Sequence, residues 1–249
     1  PDDFTYDLDD AGVGMDGGAD AGPLPDGGPD AGDGGPPCGA GEMLCAGGCV
    51  DTMTSVEHCG MCDTPCAVGE TCQVGTCFDP VVELSSGPTH SCARRGTGQV
   101  ICWGYNAQGQ IGDGSVLTRA APVEVTLPGP SEQVATGGFA FSSGNGFSCS
   151  RDRAGSVVCW GAQAGDTPLI DSLSPMVFGA LAPTTHLDLG NGIGCAILAT
   201  GRLSCWGTLG FDTTVVGPTE INAPGMSGAW VATIDVGAGH VCATSRDGH

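Results

Sequence analysis

Four segments of this 249-residue chain repeat one pattern of cysteine, glycine and tryptophan. The segments align on Cys92, Cys149, Cys195 and Cys242, which lie 57, 46 and 47 residues apart. In the first three units a second cysteine follows ten residues later and directly precedes Trp-Gly. Because so many matches recur at fixed offsets, the chain from residue 79 onward is predicted to be an array of one structural unit.

Each unit reads as a short strand, a glycine turn and a second strand that runs through the aligned cysteine. A glycine lies five residues before that cysteine and another lies six residues after it. An apolar residue lies eight residues before it, and these four residues are Leu84, Phe141, Leu187 and Ile234. The whole repeat signature comprises Gly87, Gly98, Trp103, Gly104, Gly144, Gly155, Trp160, Gly161, Gly190, Gly201, Trp206, Gly207, Gly237 and Gly248.

The spacing of the two cysteines within a unit predicts a disulfide. A three-residue hairpin loop with glycine in its last, left-handed position places residues opposite each other when their offsets sum to ten. The two cysteines then face each other with Cα atoms about 4.5–5.5 Å apart, which a disulfide accepts. The alternative is a reduced pair packed as two small apolar residues. The predicted pairs are Cys92–Cys102, Cys149–Cys159 and Cys195–Cys205.

The fourth unit has one cysteine, Cys242. Its partner is expected three positions beyond His249, so the unit is expected to be truncated and the chain to be a fragment of a longer array.

Residues 38–78 form a separate cysteine-rich segment. Its few apolar residues cannot build a hydrophobic core, so four disulfides are expected to replace one. Eight cysteines allow 105 pairings, and the sequence does not choose among them. A zinc site at Cys59-x-x-Cys62 with His58 is the alternative, although a second Cys-x-x-Cys is missing. The cysteines are Cys38, Cys45, Cys49, Cys59, Cys62, Cys66, Cys72 and Cys77.

The run from Cys45 to Cys66 resembles the cysteine-rich modules of the stigma-specific protein family, which also occur in secreted bacterial proteins. The resemblance rests on cysteine and glycine spacing over about 40 residues. It implies an extracellular module without chemistry of its own.

Residues 1–37 are rich in Asp, Gly, Ala and Pro and offer almost nothing to bury, which predicts a disordered acidic linker. Weak calcium binding is the alternative, but the spacing does not match an EF-hand loop. The formal net charge of the whole chain is −21, which argues against a nucleic-acid partner. No run of 18 apolar residues is present, so no membrane span is expected; a lipid anchor upstream of Pro1 would fit.

The stretch from His90 to Gly114 resembles the repeat of the regulator of chromosome condensation family, in the cysteine-containing form of exported bacterial proteins. The resemblance covers about two thirds of the chain and implies an all-β fold, a partial β-propeller of about three and a half four-stranded blades out of about seven. The domains are then a linker (1–37), a disulfide module (38–78) and propeller repeats (79–249). The repeats divide into 79–125, 126–181, 182–225 and a truncated 226–249.

The recurring aromatic and histidine positions are expected to be structural. The tryptophan after the second cysteine occupies one position in every complete unit, which favours packing between blades over a binding cage. His90 and His240 share an offset with Phe147 and Ile193, so this is a packing position and no metal ligand is predicted. Asp113 is interpreted as a turn residue.

No catalytic, cofactor-binding or metal-binding residues are predicted, because no acid, base or nucleophile recurs with the repeat. The sequence favours a non-catalytic, secreted or cell-surface-tethered propeller that binds an unknown protein partner. Its predicted location is extracellular, at the cell surface or outer envelope. One alternative is a guanine-nucleotide exchange factor, as in intracellular members of the resembling family. Another is a secreted enzyme inhibitor of the propeller type.

Overall fold

The computed structural model describes residues 38–138, 146–162, 171–179, 181, 183–208, 215–221 and 230–246. The predicted linker 1–37 lies outside these residues, as do Phe141, Gly144 and Gly248. All the regular elements in the described ranges are β-strands, eighteen in number, and every strand pairing is antiparallel. The all-β prediction is confirmed.

The cysteine-rich module contains two short hairpins. The first joins β1 (Glu42–Cys45) to β2 (Gly48–Asp51), and the second joins β3 (Thr71–Gln73) to β4 (Thr76–Phe78). Both close with two-residue loops, and Ala46 and Val74 adopt positive φ in them. Such loops match the twist of the flanking strands.

The rest of the described chain forms three four-stranded sheets and one two-stranded sheet, here called blades 1 to 4. Each predicted repeat unit encloses one of these sheets. The strands are β5 (Val81–Ser86), β6 (His90–Arg95), β7 (Val100–Gly104) and β8 (Arg119–Val125) in blade 1; β9 (Ser131–Gly138), β10 (Gly146–Asp152), β11 (Val157–Gly161) and β12 (Ser172–Val177) in blade 2; β13 (Thr184–Leu189), β14 (Ile193–Leu198), β15 (Leu203–Thr208) and β16 (Val215–Glu220) in blade 3; and β17 (Val231–Val236) and β18 (Val241–Ser245) in blade 4.

The hairpin between the second and third strands has the predicted loop in every four-stranded blade. The last loop residue is Gly98, Gly155 or Gly201, with φ of 86°, 85° and 77° respectively. A side chain at Gly155 would also lie 2.6 Å from the carbonyl oxygen of Thr184 in the next blade. Glycine is therefore required both by the backbone conformation and by the neighbouring blade.

The prediction for the first strand of blade 2 is wrong. The fixed offset placed this strand around Phe141, whereas β9 is the strand that pairs with β10. Val134 lies opposite Ser150, as Leu84 lies opposite Ala93 in blade 1. More residues separate the first two strands in blade 2 than in blade 1, so counting eight residues back from Cys149 reaches the connection and not the strand. Gly137, and not Gly144, is thus the counterpart of Gly87.

The hydrophobic core lies between blades. One cluster joins Cys92, Val100 and Cys102 of blade 1 to Val158 and Trp160 of blade 2. Equivalent clusters join blade 2 to blade 3 and blade 3 to blade 4. Blades 2 and 3 therefore each bury one face against the sheet before and the other against the sheet after.

Candidate functional site

The described structure pairs the repeat cysteines as the hairpin geometry predicts. Disulfides join Cys92 to Cys102, Cys149 to Cys159 and Cys195 to Cys205. The Cα–Cα distance in each pair is 4.1 Å, which is shorter than the predicted separation. The two cysteines of each pair are direct cross-strand neighbours. All six are at most 1% exposed. They are packed into the interface with the following blade, so none is placed to react with a substrate.

The recurring tryptophan lies on the opposite face and contacts the preceding blade. Trp160 is fully buried and donates its indole N–H to the carbonyl oxygen of Gln110, in the loop between β7 and β8. Trp206 is 2% exposed, and its ring centroid lies 5.0 Å from that of Phe178 in blade 2. These contacts agree with the predicted packing role and leave no open aromatic cage at either residue.

Blade 1 exposes the face that blades 2 and 3 bury. Leu84 is 63% exposed, whereas its counterparts Val134 and Leu187 are 3% and 2% exposed. Trp103 is only partly buried, in contrast to Trp160 and Trp206. The difference arises because no described blade precedes blade 1.

His90 lies in the interface between blades 1 and 2 and is 3% exposed. Ser148 donates its hydroxyl proton to the carbonyl oxygen of Gln110. Because that proton is used, the hydroxyl oxygen is left to accept from Nε2 of His90, 2.8 Å away, which assigns the ring proton to Nε2. Nδ1 of His90 has no hydrogen-bond partner within the described part of the chain. Burial lowers the pKa of His90 to about 4, so the ring is neutral at pH 7. Its counterparts Phe147 and Ile193 are equally buried, while His240 is exposed.

Backbone contacts repeat at every blade interface. The first residue of each following blade donates its N–H to the carbonyl oxygen of the turn glycine in the blade before. The pairs are Ser131 with Gly98, Thr184 with Gly155 and Val231 with Gly201, each at 2.9 Å. The signature glycine after the first strand serves close approach, since a side chain at Gly190 would overlap the carbonyl of Gly237. These contacts explain why glycine recurs at both offsets.

Asp113 holds the loop between β7 and β8. It forms an ion pair with Arg119 and accepts hydrogen bonds from Ser115 and from the side chain of Asn106, which is fully buried. Burial alone would raise the pKa of Asp113, but the hydrogen bonds from Ser115 and Arg119 outweigh it and lower the pKa. These contacts agree with the turn role predicted for Asp113.

The eight cysteines of the module form four disulfides. The pairs are Cys38–Cys49, Cys45–Cys62, Cys59–Cys72 and Cys66–Cys77. Sulfur atoms of Cys59, Cys66 and Cys77 lie within 4.8 Å of one another, but all three are oxidised and offer no thiolate. Cys59 and Cys62 belong to different disulfides, and Nδ1 of His58 accepts a hydrogen bond from the Asp63 backbone. The residues of the alternative zinc site therefore do not fit a zinc ion.

The module is fixed to blade 1. Directly after the module, the carboxylate of Asp79 accepts hydrogen bonds from the backbone N–H and the hydroxyl of Thr97, at 3.0 and 2.7 Å, which holds the connecting residue on the turn of blade 1. The backbone of Gly69 packs so closely on Gly96 that a side chain at either position would overlap the other. A cleft of about 690 Å³ opens beside this junction, with Val68 on the module side and Arg94, Glu132 and Arg153 on the blade side.

The lining of the cleft combines small residues with four charged side chains. Its lining contains no Cys, His, Lys or Tyr. Arg94 forms an ion pair with Glu83 at 2.8 Å, and Asp152 accepts a hydrogen bond from the Ser156 backbone.

The outermost strands carry a proline at one shared register, which sequence reasoning missed. Cys102 lies opposite Val123, Cys159 opposite Met176 and Cys205 opposite Thr219, and a proline precedes each of these three partners. Because the disulfide pairs are non-hydrogen-bonded, each of these cysteines directs its backbone polar groups toward the outer strand. The preceding residue in that strand then points its nitrogen away from the sheet. These outward-pointing residues are Pro122, Pro175 and Pro218.

Consecutive four-stranded sheets that stack face to face through recurring Trp and Cys positions are the blades of a β-propeller. Residues 81–110 and 97–140 match the regulator of chromosome condensation (RCC1) repeat. Residues 29–79 match the stigma-specific STIG1-like protein family. The chain therefore carries RCC1 repeats and a STIG1-like cysteine-rich module.

Solved structures share the fold. Human WBSCR16 has a TM-score of 0.56 and 20% identity over 67% of this chain, and yeast RCC1 (Prp20) bound to Kap60 has a TM-score of 0.54 and 18% identity over 65%. This chain spans 46% and 41% of those two chains. The E3 ubiquitin-protein ligase MYCBP2 of Danio rerio is 44% identical over 57 residues, which are 22% of this chain and 1% of that protein.

None of the described residues forms a helix long and apolar enough to cross a membrane.

Proposed function

We propose that this chain is a non-catalytic, extracellular or surface-tethered β-propeller that binds another protein. The observation that carries the proposal is the state of its cysteines: fourteen of fifteen are paired in seven disulfides, and only Cys242 is free. Structural disulfides in this number persist in oxidising compartments and are rare in the cytosol.

Protein binding is supported by the fold and by the charge. The yeast RCC1 structure of similar fold is a complex with the protein Kap60. A net charge of −21 with no lysine repels phosphate backbones and disfavours a nucleic-acid partner. Non-catalytic status is supported by the packing roles of the buried Cys, Trp and His residues and by the composition of the cleft.

Counting free thiols in freshly isolated native protein tests the location. The protein is alkylated under denaturing conditions without a reductant, and its mass is measured before and after reduction. We expect one alkylated cysteine, Cys242, before reduction and fifteen after it. Alkylation of most cysteines before reduction would contradict an extracellular protein.

A guanine-nucleotide exchange factor is the second candidate, favoured by the fold shared with yeast RCC1. It predicts that the chain accelerates release of a fluorescent guanine diphosphate from a small GTPase. We expect no acceleration, because the proposed function assigns the chain an extracellular protein partner and not a GTPase. Acceleration that depends on the concentration of the chain would favour this candidate instead.

A further inference from the structure

The module exposes nearly all of its large apolar side chains. Leu44 and Met61 are each 59% exposed, Val74 is 78% exposed and Met53 is 36% exposed. Of the described residues between Cys38 and Phe78, only Cys45, Thr52, Cys59 and Cys72 are buried. Apolar side chains on the surface of a soluble module, when grouped, mark interaction sites.

Backbone contacts bring four of these apolar residues into one neighbourhood. A side chain at Gly60 would lie 2.6 Å from the carbonyl oxygen of Gly75, so the backbones of the adjacent residues Met61 and Val74 lie close together. Gly75 also donates its N–H to the carbonyl oxygen of Met53 at 3.1 Å. The sulfur of Cys62 lies 3.6 Å from the carbonyl oxygen of Leu44. We call Leu44, Met53, Met61 and Val74 the module patch.

The formal charges of the module itself have one sign. The segment 38–78 contains five acidic residues and no lysine or arginine, and its acids are Glu42, Asp51, Glu57, Asp63 and Glu70. The side chain of Asp63, two residues from Met61, is 86% exposed. A hydrogen bond from the Thr54 side chain, aided by the Met53 backbone, lowers the pKa of Asp51. That carboxylate is therefore charged at any pH above the usual range for aspartate.

We infer that the module patch binds a basic, amphipathic segment of a partner protein, with apolar side chains against Leu44, Met53, Met61 and Val74 and Lys or Arg toward the flanking carboxylates. The inference rests on the proposed protein-binding function and assigns it to the module. Charge complementarity selects this occupant, because an acidic surface attracts basic segments and is repelled by anionic membranes. Two of the four side chains are methionines, whose flexible thioethers adapt to apolar partners of different shape.

A labelled peptide tests the inference on the full chain. The probe is a 14-residue amphipathic helix of Lys and Leu, and its control has Glu in place of Lys. We expect fluorescence anisotropy to show saturable binding of the Lys peptide, weakened by added salt, and no binding of the Glu peptide. A Lys peptide that does not bind the wild-type chain would overturn the inference.

Apolar variants then locate the binding. The double substitution Leu44→Gln and Met61→Gln keeps every charge, including those of residues 1–37, so any loss reports the patch itself. We expect about a tenfold rise in Kd, since central apolar contacts dominate such interfaces. The matched control is Val82→Gln with Leu84→Gln, which are 51% and 63% exposed in blade 1, and it should leave Kd unchanged.

Other outcomes separate this inference from the proposed function. Loss of binding in the Val82/Leu84 variant alone would overturn the module assignment and leave a protein-binding propeller in place. Unchanged Kd in both variants would show charge attraction without a patch and would also overturn it. Binding to neutral phosphatidylcholine vesicles that the Leu44/Met61 variant loses would assign the patch to a lipid surface instead.

Discussion

The module and the blades contain the same covalent bond in opposite surroundings. In the module, three of the four buried residues are disulfide-bonded cysteines, and the aliphatic side chains are in solvent: Val68 is 96% exposed and Leu44 is 59% exposed. In the blades, the disulfides share the interior with side chains such as Leu187 and Trp206. A segment of about 40 residues buries too little apolar surface to fold on hydrophobic burial alone. Cross-links replace the core in the module and supplement it in the blades.

If packing dominates the blades, removing an interface tryptophan should have the largest effect. We expect Trp160→Ala to lower the free energy of unfolding by about 3–5 kcal/mol, because it leaves a large cavity and removes the indole hydrogen bond to the carbonyl oxygen of Gln110. Trp103→Ala should cost less than about half as much, since Trp103 is only partly buried. Urea denaturation followed by circular dichroism measures both. Equal losses would contradict the interface role of Trp160.

If cross-links dominate the module, removing one should unfold it locally. We expect the pair Cys59→Ala and Cys72→Ala to destabilise the module by about 2–5 kcal/mol and to abolish hydrogen-exchange protection of β3. The matched pair Cys149→Ala and Cys159→Ala should leave β10 and β11 protected, because the surrounding apolar packing remains. Loss of protection in both regions would show that the blades depend on their disulfides as the module does.

His90 sharpens the comparison, because it makes one blade interface sensitive to acid while the module has no buried titrating group among its described residues. The folded pKa of His90, about 4, lies below the value of about 6.5 for an unfolded histidine. The unfolded chain therefore binds more protons between these values, and stability falls as pH drops from 6.5 to 4. The expected loss at pH 5 is about 2 kcal/mol.

The substitution His90→Phe tests this prediction, since Phe147 fills the same position in blade 2. The variant should lose less stability than the wild type between pH 7 and pH 5, as measured by urea denaturation at each pH. The same loss in both proteins would assign the acid sensitivity to other groups.

Local features of the blades could be predicted from the sequence, and long-range ones could not. The pairing of Cys92 with Cys102 follows from a tight loop and its glycine, which act over about ten residues. The first strand of blade 2 was misplaced because an insertion before Gly146 breaks the fixed offset. The shared register of Pro122, Pro175 and Pro218 was hidden because the loops before the outer strands differ in length.

The module shows the same limit. The number of disulfides follows from composition, but their pairing depends on which hairpins meet, as where Gly60 contacts Gly75. The contact between Gly69 and Gly96 likewise depends on tertiary packing and has no signal in either segment. The exposure of Leu44 and Met61 reverses the usual expectation for such residues, and only coordinates could show it.

The prolines of the outer strands determine how the rim of each blade meets other chains. The edge strand of a sheet has unpaired backbone N–H groups that can form hydrogen bonds with an extended segment of another chain, which leads to edge-to-edge association of sheets. At Pro122, Pro175 and Pro218 the ring nitrogen has no hydrogen to offer, so a passing strand finds the row interrupted at the same height on each of these three blades. The prolines therefore disfavour strand pairing between the edges of neighbouring copies at high concentration. Contacts of these edges with other proteins then depend on side chains.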